Sequence, residues 1–249
     1  MFDRADRGEQ SVSLEILKSD AEIKKARIEL DRRGLSCLKP WWLTQLRRFG
    51  LWPGVTVGDA IKSWDVLRTT EFIENHVSKV HPVLDIGAYA SEIPVILHRL
   101  GYANLAGVDL NPNLRNMSYA DSIRYEVADF MKTPFASSSF QAVTAISVIE
   151  HGFDGGALLK EVDRLLRPAG FFIASFDYWP EKINTEGIKL FDMSWTIFSA
   201  DEVTEFIDQA QQHGLYPYSR TNLTAGDKVV SHAGKNYTFA WLVLQKRAA

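Results

Sequence analysis

The stretch Val83-Leu84-Asp85-Ile86-Gly87-Ala88-Tyr89-Ala90-Ser91 constrains the fold more than any other part of this 249-residue chain. Val83, Leu84 and Ile86 form the short apolar run that a parallel strand needs when both of its faces are covered. Asp85 breaks that run, and an acid placed there needs a partner or a task. Gly87 ends the strand where the backbone turns sharply or approaches another group closely. Ser91 is suited to cap a helix running to about Leu100, with Gly101 at its C-terminal end. Strand, tight turn and helix in this order predict the first unit of a nucleotide-binding α/β fold. A plain βα turn with no ligand is the alternative on this stretch alone.

The glycine pattern narrows the nucleotide. A dinucleotide fingerprint, G-x-G-x-x-G, sets bare backbone against a pyrophosphate. In this chain Tyr89 stands at the second glycine position and Glu92 at the third, which would turn a carboxylate toward any diphosphate. S-adenosyl-L-methionine (SAM) has no phosphate. It carries a sulfonium, an amino group, a carboxylate, a ribose and an adenine, and a looser turn beside an acid suits it better. The segment resembles the first motif of class I SAM-dependent methyltransferases, D-x-G-x-G-x-G. Asp85 and Gly87 match it, while Tyr89 and Ser91 depart from it. A positive φ at Tyr89 would cost roughly 1–2 kcal/mol.

Later segments continue the resemblance in order. Residues 104–109 read as a second strand ending in Asp109, about 20 residues past the first turn, where an acid grips ribose hydroxyls. NAD proteins share that feature, and a helix-capping or loop acid is the plainer reading. Residues 123–127 predict a third strand, followed by Asp129 and Phe130. Residues 140–146 are nearly all apolar, as a central parallel strand should be. They lead into Ser147-Val148-Ile149-Glu150-His151, which resembles the post-strand signature of many small-molecule methyltransferases. Leu158, Leu159, Val162, Leu165 and Leu166 give residues 155–166 a helical apolar face. The passage through Arg167-Pro168-Ala169-Gly170 into a fifth strand at 171–175 again resembles the family. Asp177 then leaves the sheet at its ligand edge. Residues 177–198 show no clean period and predict a lid or binding loop. Ser199 and Glu202 form a capping box that opens a helix ending near Gly214. Residues 216–218 and 237–244 are expected to pair as a C-terminal antiparallel hairpin.

The first part of the chain lies outside the resemblance. Ile16, Ile23 and Leu30 recur every seven residues and predict one helix over 11–30. Ser63 caps a second helix to about His76. Trp41, Trp42, Trp52 and Trp64 are four of the seven tryptophans. They either line an acceptor site or fasten a helical layer to the sheet. The expected division is therefore a helical cap over 1–78 and a SAM-binding domain over 79–249. The domain is expected to hold a seven-stranded, mostly parallel sheet with helices on both faces. A net charge of −3 argues against a general nucleic-acid binder. One cysteine, Cys37, excludes an internal disulfide and a cysteine metal cluster. No apolar run approaches the length of a membrane span or a signal core. The expectation is a cytoplasmic protein with no metal and no nucleic-acid partner; sequence leaves its oligomeric state open.

The resemblance implies that Asp85 and Gly87 hold the methionine end of SAM, Asp109 the ribose, and Asp129 with Phe130 the adenine. Backbone around Ser147 would meet the methionine end. It implies methyl transfer, with His151 the first candidate for general base and Asp177 the second. A structural histidine fixing its loop is the plainer reading of His151. The acceptor expected from the tryptophans and the lysine-bearing loop is a sugar, a glycan or another hydroxylated small molecule. Another metabolite, RNA or protein as acceptor, and a non-catalytic SAM-fold binding module, remain as alternatives.

Overall fold

The computed structural model describes residues 12–40, 55–152 and 154–248. Five parallel strands form the centre of one sheet: β2 (Val83–Ile86), β3 (Leu105–Asp109), β4 (Arg124–Val127), β5 (Phe140–Ile146) and β6 (Leu166–Tyr178). Their spatial order is β6-β5-β2-β3-β4, so the chain reverses direction across the sheet between β2 and β5. Open α/β sheets place ligands at that kind of switch point, outside the carboxyl ends of the strands.

The sheet is larger than the seven strands expected: ten strands, parallel in the centre and antiparallel at one side. The long strand β12 (Lys235–Lys246) runs antiparallel to β6 and is the spine of that side. It pairs with β9 (Leu215–Pro217) through Leu244 to Lys246 and with β11 (Val230–His232) across the Ala233-Gly234 turn. The expected pairing of 216–218 with 237–244 is thus shifted toward the end of β12, and the tight hairpin belongs to β11. The added strands are β11, β1 (Val12–Ile16), which is antiparallel to β12, and β10 (Arg220–Thr221) beyond β1.

β1 corrects the single helix expected over 11–30. Val-Ser-Leu-Glu-Ile alternates with a period of two, and Leu14 and Ile16 are buried under the sheet while Glu15 pairs with Arg68 on the other face. Helix α1 starts only at Asp20 (Asp20–Arg32), after Ser19, whose amide donates to Glu22 Oε2 at 3.1 Å. The seven-residue recurrence of Ile16, Ile23 and Leu30 ran across two elements of different period. The remaining helices are α2 (Ser63–His76), α3 (Ile93–Arg99), α4 (Gly155–Leu165) and α5 (Ala200–Gln212).

Alternation along β6 divides the interior into two cores. Phe171 and Ile173 join α1, α2 and α3 on one face, and Phe172, Ala174 and Phe176 join α4 and α5 on the other. Among the described residues no helix is long and apolar enough to cross a membrane. Trp41, Trp42, Arg47, Arg48 and Trp52 lie outside the described residues.

The first turn sits under the N-terminal layer. Glu92, which stands at the third glycine position of the dinucleotide pattern, is buried. Its carboxylate takes Arg27 of α1 at 3.0 Å and the Cys37 amide at 3.0 Å. The Gly58 amide donates to the Ala90 carbonyl at 2.8 Å, so a second strand of contacts crosses the same turn. Breaking a buried ion pair from one side leaves an uncompensated charge and costs about 3–5 kcal/mol. Arg27→Ala should therefore lower the urea midpoint by an amount equivalent to about 3 kcal/mol or more. A shift below about 1 kcal/mol, the size expected of an exposed pair, would show that Glu92 is solvated.

Candidate functional site

Gly87 leaves β2 with φ +70°, and a Cβ on it would lie 2.3 Å from Val148 Cγ2. The turn after β2 and the loop after β5 are therefore pressed together over bare backbone, as a close ligand approach needs. The Gly87 and Ala88 amides both donate to the Val108 carbonyl, at 2.9 and 3.1 Å. The strained residue in the turn is Ala90, at φ +63°, and not Tyr89. Helix α3 begins at Ile93, one residue later than a Ser91 cap would place it, although Ser91 Oγ still accepts from the Ile93 amide at 3.3 Å.

Asp109 closes β3. Its Oδ2 accepts from the Tyr89 amide at 3.0 Å and its Oδ1 from the Asn111 amide at 2.8 Å, so it ties the first turn to the second strand end. A carboxylate oxygen has two lone pairs, which leaves each oxygen of Asp109 one for a pair of hydroxyls. Leu110 beside it is 56% exposed, an apolar surface at the same rim that sequence reasoning passed over. Asp129 is exposed and accepts from the Met131 amide at 2.8 Å, with half-buried Phe130 next to it. These two lie past β4, at the outer edge of the row.

Asp85 is buried, and Oδ1 accepts from Thr144 Oγ1 while Oδ2 has no protein partner. Burial, with a smaller contribution from Asp109, pushes its carboxyl up to about 7. An orphaned acid oxygen beside a bare turn fits a cationic amino group, which would also ionise it.

A second set of groups gathers past β5 and β6. Ser147 has φ +52°, and its amide donates to the Ser175 carbonyl at 2.9 Å. Its hydroxyl accepts from Lys62 Nζ, and that ammonium lies 3.6 Å from the Phe239 ring centroid. Asp65 is fully buried at the start of α2 and accepts from Ser175 Oγ at 2.7 Å; burial raises it to about 6. Glu150 and Asp177 are buried as well, and each keeps one oxygen without a protein partner. Trp195 Nε1 donates to the other Asp177 oxygen at 2.7 Å. Burial raises both carboxyls, and the charge of Asp177 raises Glu150 further. His151 is half-buried with Nδ1 unpartnered; burial first, then the Lys62 charge, lowers its imidazole to about 4.

Residues 179–198 hold this set in place. They contain a small hairpin, β7 (Lys189–Leu190) and β8 (Met193–Ser194), whose exposed Phe191 lies edge-on to His151 at 5.3 Å. Gly152 donates to the Ser194 carbonyl and Thr196 to the Glu150 carbonyl, both at 2.9 Å. Lys182 is paired with Glu202 at 2.7 Å. Trp64 and Trp195 are buried, so neither offers a ring face to a ligand.

The structure thus brings Asp85, Gly87, Asp109, Ser147, His151 and Asp177 to one edge, with Asp129 and Phe130 at its end. Sequence reasoning missed Lys62 and Asp65. Both precede the first motif by more than a turn of sheet, and only the fold carries Asp65 to Ser175, 110 residues away.

Residues 84–174 match the family described as "Methyltransferase domain". The methyltransferase GfsG of Streptomyces halstedii is 28% identical over 131 residues, 49% of this chain and 47% of that protein. The chain spans about half the length of that curated relative. Among solved structures, the [4+2]-cyclase SpnF superposes with a TM-score of 0.59 at 11% identity, covering 94% of this chain and 99% of that one. The geranyl diphosphate C-methyltransferase of Streptomyces coelicolor gives a TM-score of 0.53 at 18% identity, covering 72% and 78%. At these identities the structures share the fold. Residues 84–174 thus resemble a methyltransferase domain, and the chain shares the fold of these structures.

Asp85 generates a pH prediction. Its folded value lies above its ordinary value of 3.8. The folded protein therefore binds an extra proton between those limits, and stability present at low pH is lost as pH rises through about 7. The stability of the unliganded protein, measured against Asp85→Asn, should fall by a few kcal/mol, on the order of that shift, from pH 4 to pH 7.5. A constant difference between the two across that window would mean that Asp85 is solvated.

Proposed function

We propose that the protein transfers the methyl group of SAM to a hydroxyl of a small-molecule acceptor, sugar-like or otherwise hydroxylated. The observation that supports this most is the meeting of a cofactor turn with a set of buried proton acceptors, Glu150, His151 and Asp177, at adjacent strand ends. SAM supplies an activated methyl carbon on a sulfonium, so the protein's work is alignment, exclusion of water and removal of the acceptor's proton. Asp85 and Gly87 hold the methionine end beside the Ser147 backbone. Asp109 takes the ribose hydroxyls on its free lone pairs, and Asp129 with Phe130 receives the adenine.

The order of the two candidate bases is reversed from the sequence expectation. A general base works best with a pKa near the operating pH. Burial drives the His151 imidazole down to about 4, which makes it a weak proton acceptor, while the same burial raises Asp177. We assign proton removal to Asp177 and give His151 a hydrogen bond to the acceptor through Nδ1. A carbon acceptor is the second reading, favoured by the C-methyltransferase among the structural relatives. A carbon that gains a methyl group also gives up a proton, and Asp177 serves there too.

Calorimetry tests the cofactor assignment. SAM should bind and NAD should not, and Asp109→Ala should weaken SAM by about 10- to 150-fold, the worth of a charged hydrogen bond. NAD binding without SAM binding would overturn the assignment. The acceptor assignment is tested with methyl-labelled SAM and a panel of sugars and other hydroxylated metabolites. On whichever compound is labelled, Asp177→Asn should lower turnover by about two to four orders of magnitude. His151→Ala should cost about tenfold or less. Because His151 stays neutral above its lowered value, a loss of rate on acidification well above about pH 4 belongs to a carboxyl and should persist in His151→Ala. The reverse ranking of the two variants would return the base role to His151.

A further inference from the structure

Glu150 has no part in the reading above beyond its place at the cleft, yet its environment matches that of Asp177. The two carboxylates sit on neighbouring segments, the loop after β5 and the end of β6, and the run 195–198 joins them. Thr196 donates its amide to the Glu150 carbonyl at 2.9 Å, Trp195 its indole to Asp177 at 2.7 Å, and Phe198 its amide to the Asp177 carbonyl at 2.9 Å. Glu150 is 1% exposed and Asp177 3%, and Glu150 Oε2 and Asp177 Oδ1 are both without a protein partner. Two buried carboxylates that feel each other cannot both ionise cheaply. The groups facing them are Lys62 and Asp65 from the α2 end, His151 from the same loop, His232 from β11 and Tyr237 from β12, whose hydroxyl lies close enough to Asp177 to lower its carboxyl by hydrogen bonding. Lys62 is the one ammonium among them, and its position is set by Ser147 Oγ and the Phe239 ring.

We propose that Glu150 and Asp177 act as one pair that shares a proton, that the free oxygen of Asp177 receives the hydrogen bond of the acceptor's hydroxyl, and that Lys62 is the positioning cation that keeps one of them ionised. This rests on the methyl-transfer reading and extends it to the residue that completes the base. During transfer the bond from the acceptor oxygen to the methyl carbon forms as the bond to sulfur breaks, with that electron pair staying on sulfur. The hydroxyl proton passes to the free oxygen of Asp177. One positive charge leaves the sulfur and one arrives on the pair, so the total charge of the buried set does not change. An arrangement that holds charge constant avoids the large desolvation cost of creating a new buried ion. It also explains why the pocket tolerates three acids around one lysine: one proton is already shared, and the pair has room for the next.

Sinefungin, which carries C–NH3+ where SAM carries S+–CH3, probes the pair without any acceptor. Its ammonium occupies the position of the transferred methyl group. In the full-length protein at pH 7.5 it should bind at least about tenfold more tightly than S-adenosylhomocysteine, because an ammonium–carboxylate hydrogen bond is gained. It should also release more protons, read by calorimetry in two buffers of different ionisation enthalpy, since the ammonium expels the shared proton. Asp177→Asn should abolish both differences and Glu150→Gln should reduce both, with circular dichroism confirming that each variant is folded. Lys62→Met should move the proton release to higher pH, which a purely structural lysine would not do. Equal affinity for the two nucleosides, or differences that survive both carboxylate variants, would overturn the pair. Failure of S-adenosylhomocysteine itself to bind would sink the cofactor assignment and the pair's role together.

Discussion

The contact between Gly87 and Val148 decides the geometry of everything around it. With a Cβ at 2.3 Å from the valine methyl, only glycine lets the end of β2 and the loop after β5 lie this close. The Val108 carbonyl accepts from two amides of the same turn, so the ends of three parallel strands are locked into one rim. Asp85, Asp109, Ser147, Glu150 and Asp177 are carried on those three ends and on β6 beside them. Their spacing follows from sheet geometry and needs no flexible loop to assemble it.

A second constraint is electrostatic. Asp65, Asp85, Glu150 and Asp177 are all buried at the same edge, and burial raises each of them. Ordinary cores avoid such a concentration because ionised carboxyls are expensive to desolvate. Here the ammonium of Lys62 lies among three of them, and the orphaned oxygens of Asp85, Glu150 and Asp177 remain for other donors. In the proposed reading a cationic cofactor with an amino group satisfies one, and an acceptor hydroxyl pairs with the carboxylates beyond it. The acidic interior is thus the feature that separates this rim from a phosphate-binding one, where helix N-termini and bare amides dominate.

Much of this was legible in the sequence because the parallel core is local and periodic. The helix expected over 155–166 is Gly155–Leu165, and the capping box at Ser199 opens Ala200–Gln212. Asp85, Gly87 and Asp109 stand at the strand ends where the motif places them. The errors share one cause, which is pairing between distant segments. Val12–Ile16 is a strand because β12 offers it an edge more than 220 residues later, and no local signal states that. The Arg27 partner of Glu92 lies 65 residues away and is likewise unmarked in the local sequence. Lys62 and Asp65 precede the motif that organises the site, and the α2 helix delivers them to it.

The most direct test of this account is a crystal structure of the protein with S-adenosylhomocysteine. It should place the homocysteine amino group on the free oxygen of Asp85, the ribose hydroxyls on Asp109, and the sulfur facing the free oxygens of Glu150 and Asp177. A nucleoside bound at another edge of the sheet, or a sulfur turned away from those two carboxylates, would contradict it.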